Sequence, residues 1–261
     1  MRPTPKPWKT IAQAGPYRFD ADTLVAAWPR LHLGDCEAMP SDPAVLQAWL
    51  HFHNGQFEAA ATAGLQAGGA GITAANKATC MYATFLETGE KARLGLFEQV
   101  AERAELQQAS EPRNANAWYW QAYALAHYSQ GISVAKGLAQ GLGNKLKQAL
   151  EQAIAHEPRH ADAHLGLAMF HAEVIDKVGA MIGGMTYGAR KEVGLSLFKQ
   201  ARKLNPDSAL TLIRYANGLL MLEGDKAMDE ATQLYEAAAR CQPMDATEQL
   251  EVEMAMAELA E

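Results

Sequence analysis

The chain has 261 residues, 49% of them apolar and 20% charged, with a formal net charge of −7. That composition suits one or two globular domains or a single repeat array, and it gives no electrostatic reason to approach nucleic acid, because the basic residues do not gather into a stripe. Cys36, Cys80 and Cys241 stand far apart without CxxC spacing and read as reduced thiols rather than a disulfide or zinc framework.

The N-terminal residues MRPTPKPWKT carry positive charge and three prolines with no apolar run behind them, which is neither a signal peptide nor a membrane anchor, so the expectation is a cytoplasmic chain without a membrane span. Pro3, Pro5, Pro7 and Pro16 predict an extended segment over 1–41, leaving open whether Trp8 and Tyr17 dock on the body or meet a partner. Further on, four prolines set a phase: SEPRNANAW at 110–118, HEPRHADAH at 156–164, LNPDSALTL at 204–212 and CQPMDA at 241–246. Each sits just past one helix end, with a new amphipathic helix starting a few residues later. Between them apolar residues recur at helical spacing, as in Leu146, Leu150 and Ile154, or Leu195, Phe198, Ala201 and Leu204, and no window alternates as a strand does. The chain is therefore predicted to be all helical. Residues 244–261 read as a capping helix, with Leu250 and Met254 turned inward and Glu248, Glu251 and Glu253 turned to solvent.

These residues resemble the tetratricopeptide repeat (TPR) family, whose unit is a 34-residue helix-turn-helix. His51, then Gly55-Gln56-Phe57-Glu58 and Ala60, match the family's turn between helices A and B. Phe198, Ala201 and Pro206 follow its order of large residue, alanine and proline, as do Tyr235, Ala238 and Pro243, and Trp118 stands at its helix A tryptophan. Units fall near 42–70, 71–112, 113–158, 159–206 and 207–243. The resemblance implies an all-α, right-handed solenoid of about five helix hairpins over 42–243 that acts as a scaffold for a protein or peptide partner, without catalysis, cofactor or metal. Carrying the family's inner-face places across gives a groove of Trp49, Phe52 and His53, then Asn116, Tyr119, Trp120, Tyr123 and His127, then Leu165 and Met169, and finally Ile213, Arg214 and Asn217. Such an aromatic lining suits an extended peptide or a hydrophobic ligand. Three consecutive aromatics cannot share one helix stripe, so Trp118 is expected in the core with Tyr119 and Trp120 nearer the groove. The lysine and asparagine set with which chaperone-binding members clamp a peptide carboxylate is not reproduced. An alternative reading is an accessory protein for a small hydrophobic ligand, similar to the TPR components of tripartite solute transporters.

The departures from 34 residues carry information of their own, since Pro112, Pro158, Pro206 and Pro243 are 46, 48 and 37 residues apart. The surplus falls between helices A and B of the third and fourth units, as GISVAKGLAQGLGN at 131–144 and within DKVGAMIGGMTYGARK at 176–191. Shared between two arms, it lengthens each hairpin by roughly two turns, about 10 Å. Gly137, Gly141, Gly143, Gly179, Gly183, Gly184 and Gly188 predict close packing, tight turns and interrupted helices. Met181, Ile182, Met185 and Tyr187 either pack on the 131–144 insertion or form a ligand or homo-oligomer surface, and the run is too short to span a bilayer. His160, His164 and His171 share a helix with Glu173 and Asp176, which keeps a metal-dependent enzyme as a further alternative. No HExxH, GxSxG or phosphate-binding glycine motif accompanies them, so no catalytic residue is assigned.

Overall fold

A computed structural model describes residues 7–11, 17–133, 136–137 and 140–260. One device repeats along it. Pro112, Pro158, Pro206 and Pro243 each precede by two residues an N-cap, namely Asn114, His160, Ser208 and Asp245, whose side chains accept the backbone N–H of Ala117, Ala163, Thr211 and Glu248. Proline cannot continue the preceding helix and disfavours helical backbone just before it, and the cap then satisfies a donor that the next helix leaves open.

The resulting hairpins are α2 (Pro43–His53) with α3 (Phe57–Ala67), α4 (Gly71–Phe85) with α5 (Glu90–Ser110), and α6 (Ala115–Gln130) with α7 (Leu142–His156). Next come α8 (Ala161–Val178) and α10 (Lys191–Leu204) with the short α9 (Ala180–Tyr187) between them, and then α11 (Ala209–Glu223) with α12 (Met228–Ala239), followed by the capping helix α13 (Ala246–Glu258). No strand occurs among the described residues. Among the described residues the architecture is an all-α solenoid of five hairpins, each burying its apolar face on its neighbours, and the core runs as two clusters that meet at α8.

The stretch 1–41, expected to be extended, contains α1 (Ala21–Leu31). Asp20 and Thr23 form a reciprocal capping box, and Leu24 and Trp28, one turn apart, bury one side of this helix. Pro3, Pro5 and Pro16 lie outside the described residues. Trp8 and Tyr17 both dock on the body: the Trp8 ring stacks on Tyr82 at 4.2 Å, and the Tyr17 hydroxyl donates to Gln249 Oε1 at 3.0 Å.

The solenoid closes on itself. Arg30 pairs with Glu248 at 2.7 Å, His53 Nδ1 lies 2.7 Å from Asp245 Oδ2, and a Cβ at Gly55 would stand 2.9 Å from both Ala246 Cβ and Ile11 Cδ1. Two carboxylates of α13 expected in solvent are consequently turned inward: Glu251 is buried and Glu248 is held by Arg30. The fourth-unit insertion does not lengthen two arms equally. Gly179 (φ +81°) ends α8 and Gly188 (φ +67°) ends α9, so the surplus folds as a separate helix. Residues 134, 135, 138 and 139 of the third-unit insertion lie outside the described residues.

Candidate functional site

The inner helices α4, α6, α8 and α11 present two adjoining spaces with different chemistry. At the closed end, the loop after α1 threads into the concave face and is held by buried polar groups. Asp35 accepts from His32 Nδ1 at 2.8 Å and from Lys77 Nζ at 2.6 Å, and Asn116 donates to the Asp35 carbonyl at 3.0 Å and to Glu37 at 2.6 Å. His160, the cap of α8, shares a 3.0 Å hydrogen bond with Asn116 Oδ1. Burial opposes the charge on Asp35, but Lys77 and His32 outweigh it and hold the carboxyl well below its ordinary range. Burial pushes His32 down to about 4 and Glu37 up to about 8, the latter helped by the neighbouring Asp35 charge. His32 Nε2 also faces His53 Nε2 at 3.2 Å.

This cluster explains where several expected groove residues went. Trp49, Phe52 and Trp120 wall in the Lys77 ammonium, which stands 5.7, 5.2 and 6.0 Å from their ring centroids, and all three are buried. Phe52 and Trp120 line a small polar space of about 70 Å³ beside Asp35, Asp245 and Glu251, whereas Trp49 is core beneath Trp28. Asn116 is spent on the threaded loop. Ile213 is core, and Asn217 accepts from the Tyr235 hydroxyl. Trp118, expected in the core, is only half-buried and donates its Nε1 to the Pro112 carbonyl at 3.0 Å, while Tyr119 and Trp120 are the buried pair.

Further along the inner face lies a cavity of about 540 Å³ between the third and fourth hairpins. It gathers Tyr119, Tyr123, His127, Leu165, Met169 and Arg214 from the expected groove. Leu142, Leu146 and Leu150 of α7 and Phe170 and Val174 of α8 complete an apolar wall that the family's inner-face places do not include. Their helical spacing was visible in the sequence; what they face was not. Tyr187 at the end of α9 closes one side, with its ring edge-on to Phe170 and so near Gly143 that a Cβ there would lie 2.8 Å from Tyr187 Cε1. Polar groups are few and separate. The Tyr123 hydroxyl shares a 2.9 Å hydrogen bond with Thr84, and burial pushes His127 down to about 3, with the Arg214 charge contributing, so its imidazole is neutral. Asp162 at the closed end is pushed up to about 7, chiefly by burial, and Glu173 at the mouth meets Lys177 at 3.4 Å. Met181, Ile182 and Met185, on α9, are 76%, 54% and 85% exposed.

The histidines considered for a metal are engaged by protein groups. His160 caps α8, His164 Nε2 lies 3.0 Å from the Pro158 carbonyl, and His171 Nδ1 accepts from the Arg190 N–H at 3.1 Å. Among the described residues no three His, Cys, Asp or Glu side chains are grouped to hold a metal ion, and no helix is long and apolar enough to cross a membrane.

No protein-family model matches the chain, and no curated protein matches it. Seven chains of solved structures do. One is a thermophilic TPR protein of Thermus thermophilus, similar at 19% identity and a TM-score of 0.57 over 82% of this chain and 97% of that one. The fold is thus that of TPR proteins, a solenoid of helical hairpins.

Proposed function

We propose that this chain is a non-catalytic binding protein whose cavity between the third and fourth hairpins holds a compact apolar ligand. The observation that carries the reading is the cavity itself: about 540 Å³, bounded mainly by Leu, Met, Phe and Tyr side chains, within the size range of small-molecule sites. An extended peptide along the whole inner face is less well supported, because the first hairpin's share of that face, Trp49 and Phe52, is buried. Both surplus segments border the cavity, which gives the unit-length departures a purpose. Titration with the apolar fluorophore 1-aminoanthracene tests the reading: saturable binding of one molecule per chain supports it, and no saturable binding contradicts it.

A second reading, association with a partner protein or a second copy, is favoured by the exposed apolar face of α9. Met181, Ile182 and Met185 form an unpartnered patch of the kind that marks an interface. Met181→Asp with Met185→Asp should leave melting unchanged and abolish any association seen by mass in solution. An unchanged mass distribution would set this reading aside.

A further inference from the structure

The lining of the large cavity is mostly apolar, and among the described residues Arg214 is its one cation outside the Lys177–Glu173 pair at the mouth. Arg214 projects from the inner face of α11 and lines the cavity, half-buried. Among the described residues it makes no ion pair and no side-chain hydrogen bond. The other charged groups of the lining are accounted for differently: Lys177 and Glu173 meet each other at the mouth, and Asp162 lies toward the closed end, on the side of Gly34 and Asn205. Its charge acts on His127 and Tyr123, two uncharged groups that line the same space. A half-buried guanidinium at the edge of an apolar chamber can take an anion, and its planar fork fits a carboxylate through two parallel hydrogen bonds.

Resting on the cavity reading above, we propose that the ligand is an apolar monocarboxylate, its acid group held by Arg214 and its body lying against the Leu146, Leu150, Met169 and Phe170 wall. Neutral His127 and the Tyr123 hydroxyl stand ready to contact the same head group without adding charge. Arg214 offers one site for a carboxylate, which favours a monoacid over a diacid, and the Asp162 carboxyl at the closed end offers no second cation.

The test compares decanoate with decan-1-ol, which share a chain and differ in the head group, by calorimetric titration of the full chain. Wild type should bind decanoate at least about tenfold more tightly than decan-1-ol, the difference a charge-assisted pair supplies. Arg214→Gln should erase that preference while leaving decan-1-ol binding unchanged, and Arg214→Lys should keep part of it. Equal affinity for the two compounds in wild type, or full decanoate affinity in Arg214→Gln, overturns the carboxylate proposal and leaves the cavity reading standing. Binding of neither compound overturns both. Should Arg214→Gln fail to fold, the wild-type comparison together with Arg214→Lys still decides.

Discussion

His53 and Asp245, 192 residues apart in the chain, share a buried hydrogen bond of 2.7 Å that joins the first hairpin to the last helix. Burial alone would raise the Asp245 carboxyl, but the hydrogen bond and charge of His53 outweigh it and hold the carboxyl below its ordinary value. Asp245 also caps α13 through the Glu248 N–H at 2.8 Å. Asp245→Ala should therefore cost roughly 3 to 5 kcal/mol in urea unfolding followed by circular dichroism, since it strands a buried partner and uncaps a helix. A cost below about 1 kcal/mol would mean that the closure is incidental to stability.

The three consecutive aromatics should separate sharply in stability. Trp120 is buried against Tyr119 and Tyr123, so Trp120→Ala should cost roughly 3 to 5 kcal/mol. Trp118 is half-buried with a single hydrogen bond to the Pro112 carbonyl, so Trp118→Ala should cost about 1 kcal/mol. Equal costs in thermal melts would contradict the observed orientation of α6.

Which parts of this were legible follows from the range of each interaction. The hairpins are written locally: a proline, a cap two residues later and a helical apolar period recur at Asn114, His160, Ser208 and Asp245, and each signal is read within one turn. The helix α1 was legible in principle, because Asp20, Thr23, Leu24 and Trp28 carry its cap and its face, but Pro3, Pro5, Pro7 and Pro16 before it favour an extended segment. The closure was not legible, because no local pattern links His53 to Asp245 or Arg30 to Glu248. The orientation of 118–120 depends on helix phase, which successive residues at 100° intervals leave undetermined until the neighbours are placed. Tyr119, Tyr123, His127, Met169 and Arg214, which the family's inner-face places name, line the cavity. Lys77 and Asp35 were missed because a buried pair looks, in sequence, like any two surface charges.

The glycines of the fourth-unit insertion should differ from one another. A Cβ at Gly183 would lie 2.9 Å from Val174 Cγ1, so Gly183→Leu should destabilise by about 1 to 3 kcal/mol through overpacking against α8. At Gly184 the nearest atom would be the Ala189 carbonyl oxygen at 3.5 Å, an ordinary contact, so Gly184→Ala should leave the melting temperature nearly unchanged. Equal losses at the two positions would refute the packing of α9 on α8.

The pH dependence of stability has a definite sign at Glu37. Burial raises this carboxyl from 4.5 to about 8, with the Asp35 charge adding to the effect, so the folded state holds a proton that the unfolded chain has released. Stability from this group is full below about 4.5 and falls as pH rises toward about 8. Glu37→Gln keeps an oxygen to accept from Asn116 and removes the titration. It should raise the melting temperature by at least about 2 to 4 °C at pH 8.5 and much less at pH 5. A gain of the same size at both values would place the effect elsewhere. His32, lowered by burial to about 4, contributes on the acid side, where stability is lost as pH falls from 6.5 toward 4.

Filling the cavity from within tests the central claim most directly. Ala126 lines it from α6 and is half-buried, so Ala126→Trp places an indole in the space where the ligand would lie. With 1-aminoanthracene as the probe, wild type should bind one molecule per chain, and Ala126→Trp should lose at least about 90% of that binding while keeping its helical content and melting temperature. Equal binding by the filled variant and wild type would contradict the account, because the apolar site would then lie outside this cavity.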